Sequence, residues 1–179
     1  LLGRELTPPA LSLPLGISFF TFQAVSFLAD TVRRPELGRG SFLDFFLYLA
    51  FFPRLLSGPL VRYEATRDDL AALSFTPEKT AAGLRRLILG LGKKLLLADT
   101  LGTVADAVFA LESSALSAPA AWLGAAAYAL QLFFDFSSYS DMAIGLGLVF
   151  GFALPENFRY PYAARSLTEF WRRWHITLS

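Results

Sequence analysis

Long apolar runs alternate along this chain with short polar stretches, and several charged residues stand inside the runs. Residues 13–32 are apolar except for Ser18, Thr21, Gln23, Ser26, Asp30 and Thr31, and Arg33, Arg34 and Pro35 close the run. A membrane crossing takes about 20 mostly apolar residues at about 1.5 Å each, so this run predicts a spanning helix. Residues 42–61 are as apolar but hold Asp44, Phe52-Pro53-Arg54 and Gly58-Pro59. Each proline interrupts helical hydrogen bonding, which predicts a broken segment. Residues 84–111 mix apolar stretches with Arg85, Arg86, Lys93, Lys94, Asp99 and Asp106, as in a helix that lies at an interface and then turns inward. Residues 120–134 hold one polar residue, Gln131, and form the cleanest predicted span.

A second apolar run, 143–154, follows after the polar stretch 135–142. Residues 120–154 together exceed one straight crossing, so either two helices meet at a tight polar joint or one long helix tilts and extends beyond the bilayer. The link 62–79 is expected to face water and to start the next helix at Thr76-Pro77-Glu78. If 13–32 and 42–61 both crossed, the basic loop with Arg33, Arg34 and Arg39 and that with Arg62 and Arg67 would face opposite sides, against the positive-inside tendency. The Pro53-Arg54 break makes the second segment the better re-entrant element. Irregular backbone survives at membrane depth only inside protein or beside a water-filled cavity, so a cavity is expected.

Composition agrees with the runs. Of 179 residues 54% are hydrophobic and 17% charged, with 18 Phe, and the mean hydropathy is +0.47. These values are those of a membrane protein and exclude a disordered chain; the runs and their breaks make the expected fold an all-α, polytopic membrane helical bundle with re-entrant and interfacial helices. Sixteen Lys and Arg against 15 Asp and Glu give no basic excess, so nucleic acid is excluded as a partner. The absence of Cys excludes a thiolate nucleophile, a disulfide and Fe–S ligation, and with a single His no metal site is expected. The chain starts at Leu1 without Met and stops at Ser179 within a helical pattern, with no signal peptide to be read. The expectation is a partial domain over 1–179, the central portion of a longer protein.

Ser166-Leu167-Thr168-Glu169 has the spacing of a capping box, in which hydroxyl and carboxylate each satisfy a free backbone N–H. From it Leu167, Phe170, Trp171, Trp174 and Leu178 make one apolar helical stripe, with Thr168, Arg172, His175 and Ser179 along its edge. Glu169 can pair with Arg172 or Arg173. On pattern alone two readings of His175 stand: a general base, with Arg172 beside it to bind an anionic substrate, or an interfacial His on an amphipathic helix. Asp135 and Asp141 flank Ser137, Ser138, Tyr139 and Ser140. They either face a bundle interior or aqueous cavity or are solvated at the surface. In a continuous helix they fall on different faces, which argues against a carboxylate dyad. Gly145, Gly147 and Gly151 have no strand before them and fit close helix packing rather than nucleotide binding. Pro155-Glu156-Asn157-Phe158 and Tyr160-Pro161-Tyr162 predict a proline-stiffened turn at the headgroup level.

The run from Gln131-Leu132-Phe133-Phe134-Asp135-Phe136 to Gly147, then Pro155-Glu156-Asn157-Phe158, then Arg165-Ser166-Leu167-Thr168-Glu169-Phe170-Trp171-Arg172-Arg173-Trp174-His175-Ile176-Thr177-Leu178-Ser179, closely resembles the membrane-bound O-acyltransferase (MBOAT) family, best its bacterial alginate O-acetyltransferase branch. Leu13-Pro14-Leu15-Gly16-Ile17-Ser18-Phe19 and Phe51-Phe52-Pro53-Arg54-Leu55-Leu56-Ser57-Gly58-Pro59 resemble the same branch. One departure is Ser138, where the branch commonly has Gly. The resemblance implies a multi-pass enzyme of the bacterial inner membrane. Such an enzyme moves an acyl group, usually acetyl, from a donor such as acetyl-CoA or an acyl carrier to hydroxyls of an exported polysaccharide such as alginate. It implies that His175 is the first of two active-centre histidines, the second lying beyond Ser179, and that Asp135, Tyr139, Asp141 and Arg172 are candidates to line a funnel. The implied partners are the donor, the polysaccharide, the bilayer and extracytoplasmic O-acetylation proteins, with no bound cofactor. Two other classes share the broken helices and embedded carboxylates: a transporter or channel subunit, and an export scaffold that recruits a soluble transferase.

Overall fold

The computed structural model describes residues 13–179; the expectations drawn from the start at Leu1 lie outside the described residues. Seven α-helices follow in order among these residues: α1 (Ile17–Arg33), α2 (Phe42–Ala50), α3 (Tyr63–Ala71), α4 (Pro77–Gly92), α5 (Asp99–Phe109), α6 (Ala118–Val149) and α7 (Leu167–Trp171). Four helix starts are set by a hydroxyl that accepts from a free backbone N–H, which is what Ser and Thr do best at that position. Ser41 serves Leu43 N, Thr76 serves Lys79 N, Ser117 serves Ala120 N and Ser166 serves Glu169 N. The start expected at Thr76-Pro77 is where α4 begins. The link 62–79, expected as a water-facing loop, instead contains α3, whose Tyr63 and Thr66 are buried.

α4 and α5 are joined through a π-helical turn at Lys93–Ala98 and pack together along α6. The pairing runs antiparallel. Gly83 meets Gly145, Gly90 meets Ser138 and Met142, Gly102 meets Gln131, and Gly124 meets Val108. Small residues let the backbones approach, so the packing expected of Gly145 holds. Gly151 serves differently. With φ +84 it ends α6, and Gly151 N and Phe152 N donate to Leu148 O and Gly147 O in a Schellman turn.

Of the two arrangements open for residues 120–154, the structure has the single long helix: α6 runs through the polar stretch 135–142 and spans 32 residues, about 48 Å at the usual rise. Two buried clusters stand out, of which the second touches α6. Leu37, Tyr48 and Tyr63 gather under α1 and α2, and Phe51, Ile144, Phe152 and Leu154 tie the segment after α2 to α6. The break at 52–54 is a 3₁₀ turn, with Arg54 buried and donating to Tyr48 O and Thr66 Oγ1.

The expected spans need correction. Run 13–32 yields a helix of 17 residues, and run 120–134 continues directly into the polar half of α6. Among the described residues no helix is long and apolar enough to cross a membrane. Buried polar and exposed large apolar residues nevertheless occur together on two of the helices. On α1, Gln23 and Asp30 are buried while Phe22, Val25, Leu28 and Val32 are exposed. On α6, Ser137, Ser138 and Ser140 are buried while Trp122, Leu123, Leu130 and Leu132 are exposed.

Candidate functional site

The capping box forms in part, with the Glu169 carboxylate on Arg165 N in place of Ser166 N. Glu169 N donates to Ser166 Oγ at 3.1 Å, Arg165 N donates to Glu169 Oε2 at 2.8 Å, and Arg173 donates to Glu169 Oε1 at 2.6 Å. The Arg165 N–H, followed by the Arg173 guanidinium, holds the Glu169 carboxyl below its ordinary value. The helix it starts is only five residues long, so the two long strips expected from Leu167 to Ser179 do not exist. The chain leaves the helix because the segment after α6 competes for its backbone. Arg159 N donates to Arg173 O, and Ile176 N donates to Asn157 O, both at 2.9 Å.

Between these two tethers stands His175. It is buried at 6% exposure with φ +46, a left-handed backbone that costs a non-glycine residue on the order of 1–3 kcal/mol and persists only where its surroundings impose it. Its ring lies 5.0 Å from that of Phe136. It lines an apolar cavity of about 530 Å³ with Phe19, Phe136, Trp171, Trp174 and Leu178. Nδ1 is buried without a hydrogen-bond partner among the described residues. Burial holds the imidazole below its ordinary value of 6.5, so the ring is neutral at neutral pH and able to accept a proton.

A second cavity, about 560 Å³, is the more polar of the two, although Phe133, Ile144 and Phe158 share its lining. Arg86, Lys93, Ser137, Ser140, Asp141, Glu156, Asn157, Arg159 and Ile176 line it. Its walls carry an ion network. Arg86 donates to Asp141 at 2.9 Å and to Glu156 at 2.5 Å, and Lys93 pairs with Asp141 as well. Lys94, the next residue, pairs instead with Asp135 and Asp99, each at 2.7 Å. Arg86, Lys93 and Lys94, interfacial by sequence pattern, therefore turn toward α6.

Of the five candidate residues the structure places His175 in the apolar cavity and Asp141 in the polar one. Asp135 faces Lys94, and Tyr139 accepts from Leu56 N at 3.3 Å, tying the 52–54 turn to α6. Arg172 is exposed and lines neither cavity. It does not share a strip with His175, because the helix that would align them ends before it.

Sequence reasoning assigns Pro155-Glu156-Asn157-Phe158 to a turn at headgroup level. Asn157 is instead fully buried and donates to Ser140 Oγ at 3.2 Å, while Glu156 belongs to the ion network. Nothing in spacing or periodicity announces this, because the partners lie about 20 residues away or more.

The model of the MBOAT, membrane-bound O-acyltransferase family, matches residues 12–179. The chain is 48% identical over 167 residues to the probable alginate O-acetylase AlgI of Pseudomonas aeruginosa, covering 93% of this chain and 32% of that protein. It is 37% identical over 196 residues to the peptidoglycan O-acetyltransferase of Helicobacter pylori, covering 94% and 37%. With the teichoic acid D-alanyltransferase of Bacillus subtilis it shares 29% over 179 residues, covering 92% and 42%. The chain thus spans about a third of the length of the most similar of these relatives.

Proposed function

The chain belongs to the membrane-bound O-acyltransferase family, and we propose on that premise that it is part of a multi-pass enzyme of the bacterial plasma membrane. This enzyme transfers an acyl group, acetyl by preference, to hydroxyls of an exported polysaccharide. The observation that carries the reading is His175: neutral, buried, held in a strained backbone and lining a cavity large enough for a substrate segment. A base whose ordinary value lies near the working pH suits proton abstraction from a hydroxyl. In the proposed step the acceptor oxygen attacks the carbonyl carbon of a thioester donor, acetyl-CoA or an acyl carrier, as His175 takes the hydroxyl proton. A C–O bond forms, the C–S bond breaks, and the imidazolium returns the proton to the departing thiolate.

The bilayer assignment is supported by the large apolar residues that α1 and α6 leave exposed and by the polar residues that both bury, a distribution that water does not favour. Asp141 and the residues around it form the polar wall of the proposed path for substrate. The names of the relatives, an O-acetylase, an O-acetyltransferase and a D-alanyltransferase, favour acyl transfer over solute transport or a scaffold role. Asp135, on Lys94, and Tyr139, on Leu56 N, are kept in this reading as groups that brace the path, while exposed Arg172 is given no part in it. The test is His175→Ala in the full-length protein expressed in its membrane. Polymer O-acetylation is expected to disappear while the protein still inserts, and retained acetylation would sink the assignment.

A further inference from the structure

We infer that Asn157 is a positioning residue for His175, pinning the peptide that follows the histidine to α6 and thereby setting where the imidazole stands in the apolar cavity. The inference deepens the acyl-transfer reading and rests on it.

Asn157 is fully buried, where an unpaired amide would be costly, and its partners sit on two elements. Toward the site its main-chain oxygen accepts from Ile176 N at 2.9 Å. Its Oδ1 accepts from Thr177 N at 3.3 Å and from Thr177 Oγ1 at 3.0 Å. Toward the scaffold its Nδ2 donates to Ser140 Oγ on α6. Thr177 Oγ1 accepts in turn from Leu60 N at 2.9 Å. A chain of hydrogen bonds therefore runs from the 52–61 segment through Thr177 and Asn157 into α6. His175 itself is touched by none of these bonds.

The effect is transmitted through one peptide. His175 has the left-handed φ of +46, a conformation that needs external restraint, and the restraint lies in the two residues directly after it. Arg159 N on Arg173 O holds the residues before it. Buried amides of this kind rigidify a site by satisfying several partners at once, and a base displaced by about 1 Å can lose on the order of 100-fold in rate.

The test uses the full-length enzyme in membranes. Thr177→Val keeps shape and removes the hydroxyl links to Asn157 and Leu60; Thr177→Ser keeps them; Asn157→Leu removes the side-chain links altogether. Thr177→Val and Asn157→Leu are expected to lower kcat by about 10- to 100-fold, to leave KM for donor and acceptor within about twofold, and to move the acid limb of the pH profile upward. Thr177→Ser should restore kcat. If Asn157→Leu fails to accumulate, the Thr177 pair decides alone. An unchanged kcat and pH profile in Thr177→Val, with His175→Ala inactive, overturns the positioning role only. Transfer retained by His175→Ala overturns the base reading and this inference with it.

Discussion

Gly83 and Gly145 face one another across α4 and α6 with no room for a side chain on either. A β-carbon on Gly83 would stand 2.5 Å from Gly145 O, and one on Gly145 would stand 2.7 Å from both Gly83 O and Leu87 N. This approach brings Arg86 and Lys93 within reach of Asp141, so the polar cavity depends on a contact that carries no chemistry.

Gly145→Val is accordingly expected to push α4 off α6 and to cost about 3 kcal/mol, at the upper end of overpacking penalties. Thermal unfolding in detergent should show a lower midpoint and loss of the protection that α4 amides otherwise have in hydrogen exchange. Wild-type protection would show that the helices adjust.

Asp141 is the acceptor for two cations that are each about three-quarters buried or nearly so. Asp141→Asn leaves Lys93 without its carboxylate and Arg86 with Glu156 alone, and a loss of about 2 kcal/mol is expected, between the values for exposed and fully buried pairs. A double-mutant cycle with Lys93→Met should give a coupling of at least about 0.5 kcal/mol. Additive losses would mean that the pair contributes nothing as a pair.

The pH dependence of transfer follows from His175. Because burial depresses its value below 6.5, the base form persists below that pH, and the acid limb of kcat/KM should fall under 6.5. Phe136→Ala, which uncovers the ring, should move that limb up toward 6.5. The same depression has a stability consequence with a definite sign: the unfolded chain takes up the proton first, so folded stability falls as pH drops through 6.5. A limb that stays put in Phe136→Ala would separate the limb from this histidine.

Ser166→Ala removes the hydroxyl that caps α7 and should cost about 1 kcal/mol. Glu169→Gln should weaken the same turn. Its carboxylate contribution is present above the ordinary value of 4.5 and lost as pH falls below it. Equal pH dependence of unfolding in Glu169→Gln and the parent protein would remove the carboxylate from this account.

Much of the local framework is legible in the sequence. The end of α1 at Arg33, the break at Pro53, the caps at Thr76 and Ser166 and the tight packing of Gly145 all follow from signals a few residues long. What escapes depends on partners far along the chain. The 135–142 stretch reads equally as a joint or as part of one long helix because its carboxylates have no partner nearby in sequence; Arg86, Lys93 and Lys94, about 40 to 55 residues away, let the helix continue. The pattern from Leu167 to Ser179 is a good helical one, and propensity loses to the hydrogen bonds that Asn157 and Arg159 offer. Helical spacing puts Arg172 beside His175, but the helix ends at Trp171. The identity of the histidine is readable, while its burial and left-handed backbone are not.

His175 and Ile176 are neighbours in the chain, yet one lines the apolar cavity and the other the polar cavity. The peptide bond that joins them therefore belongs to the lining of both spaces. A side chain that reports on one space is thus one residue along the chain from a side chain that reports on the other.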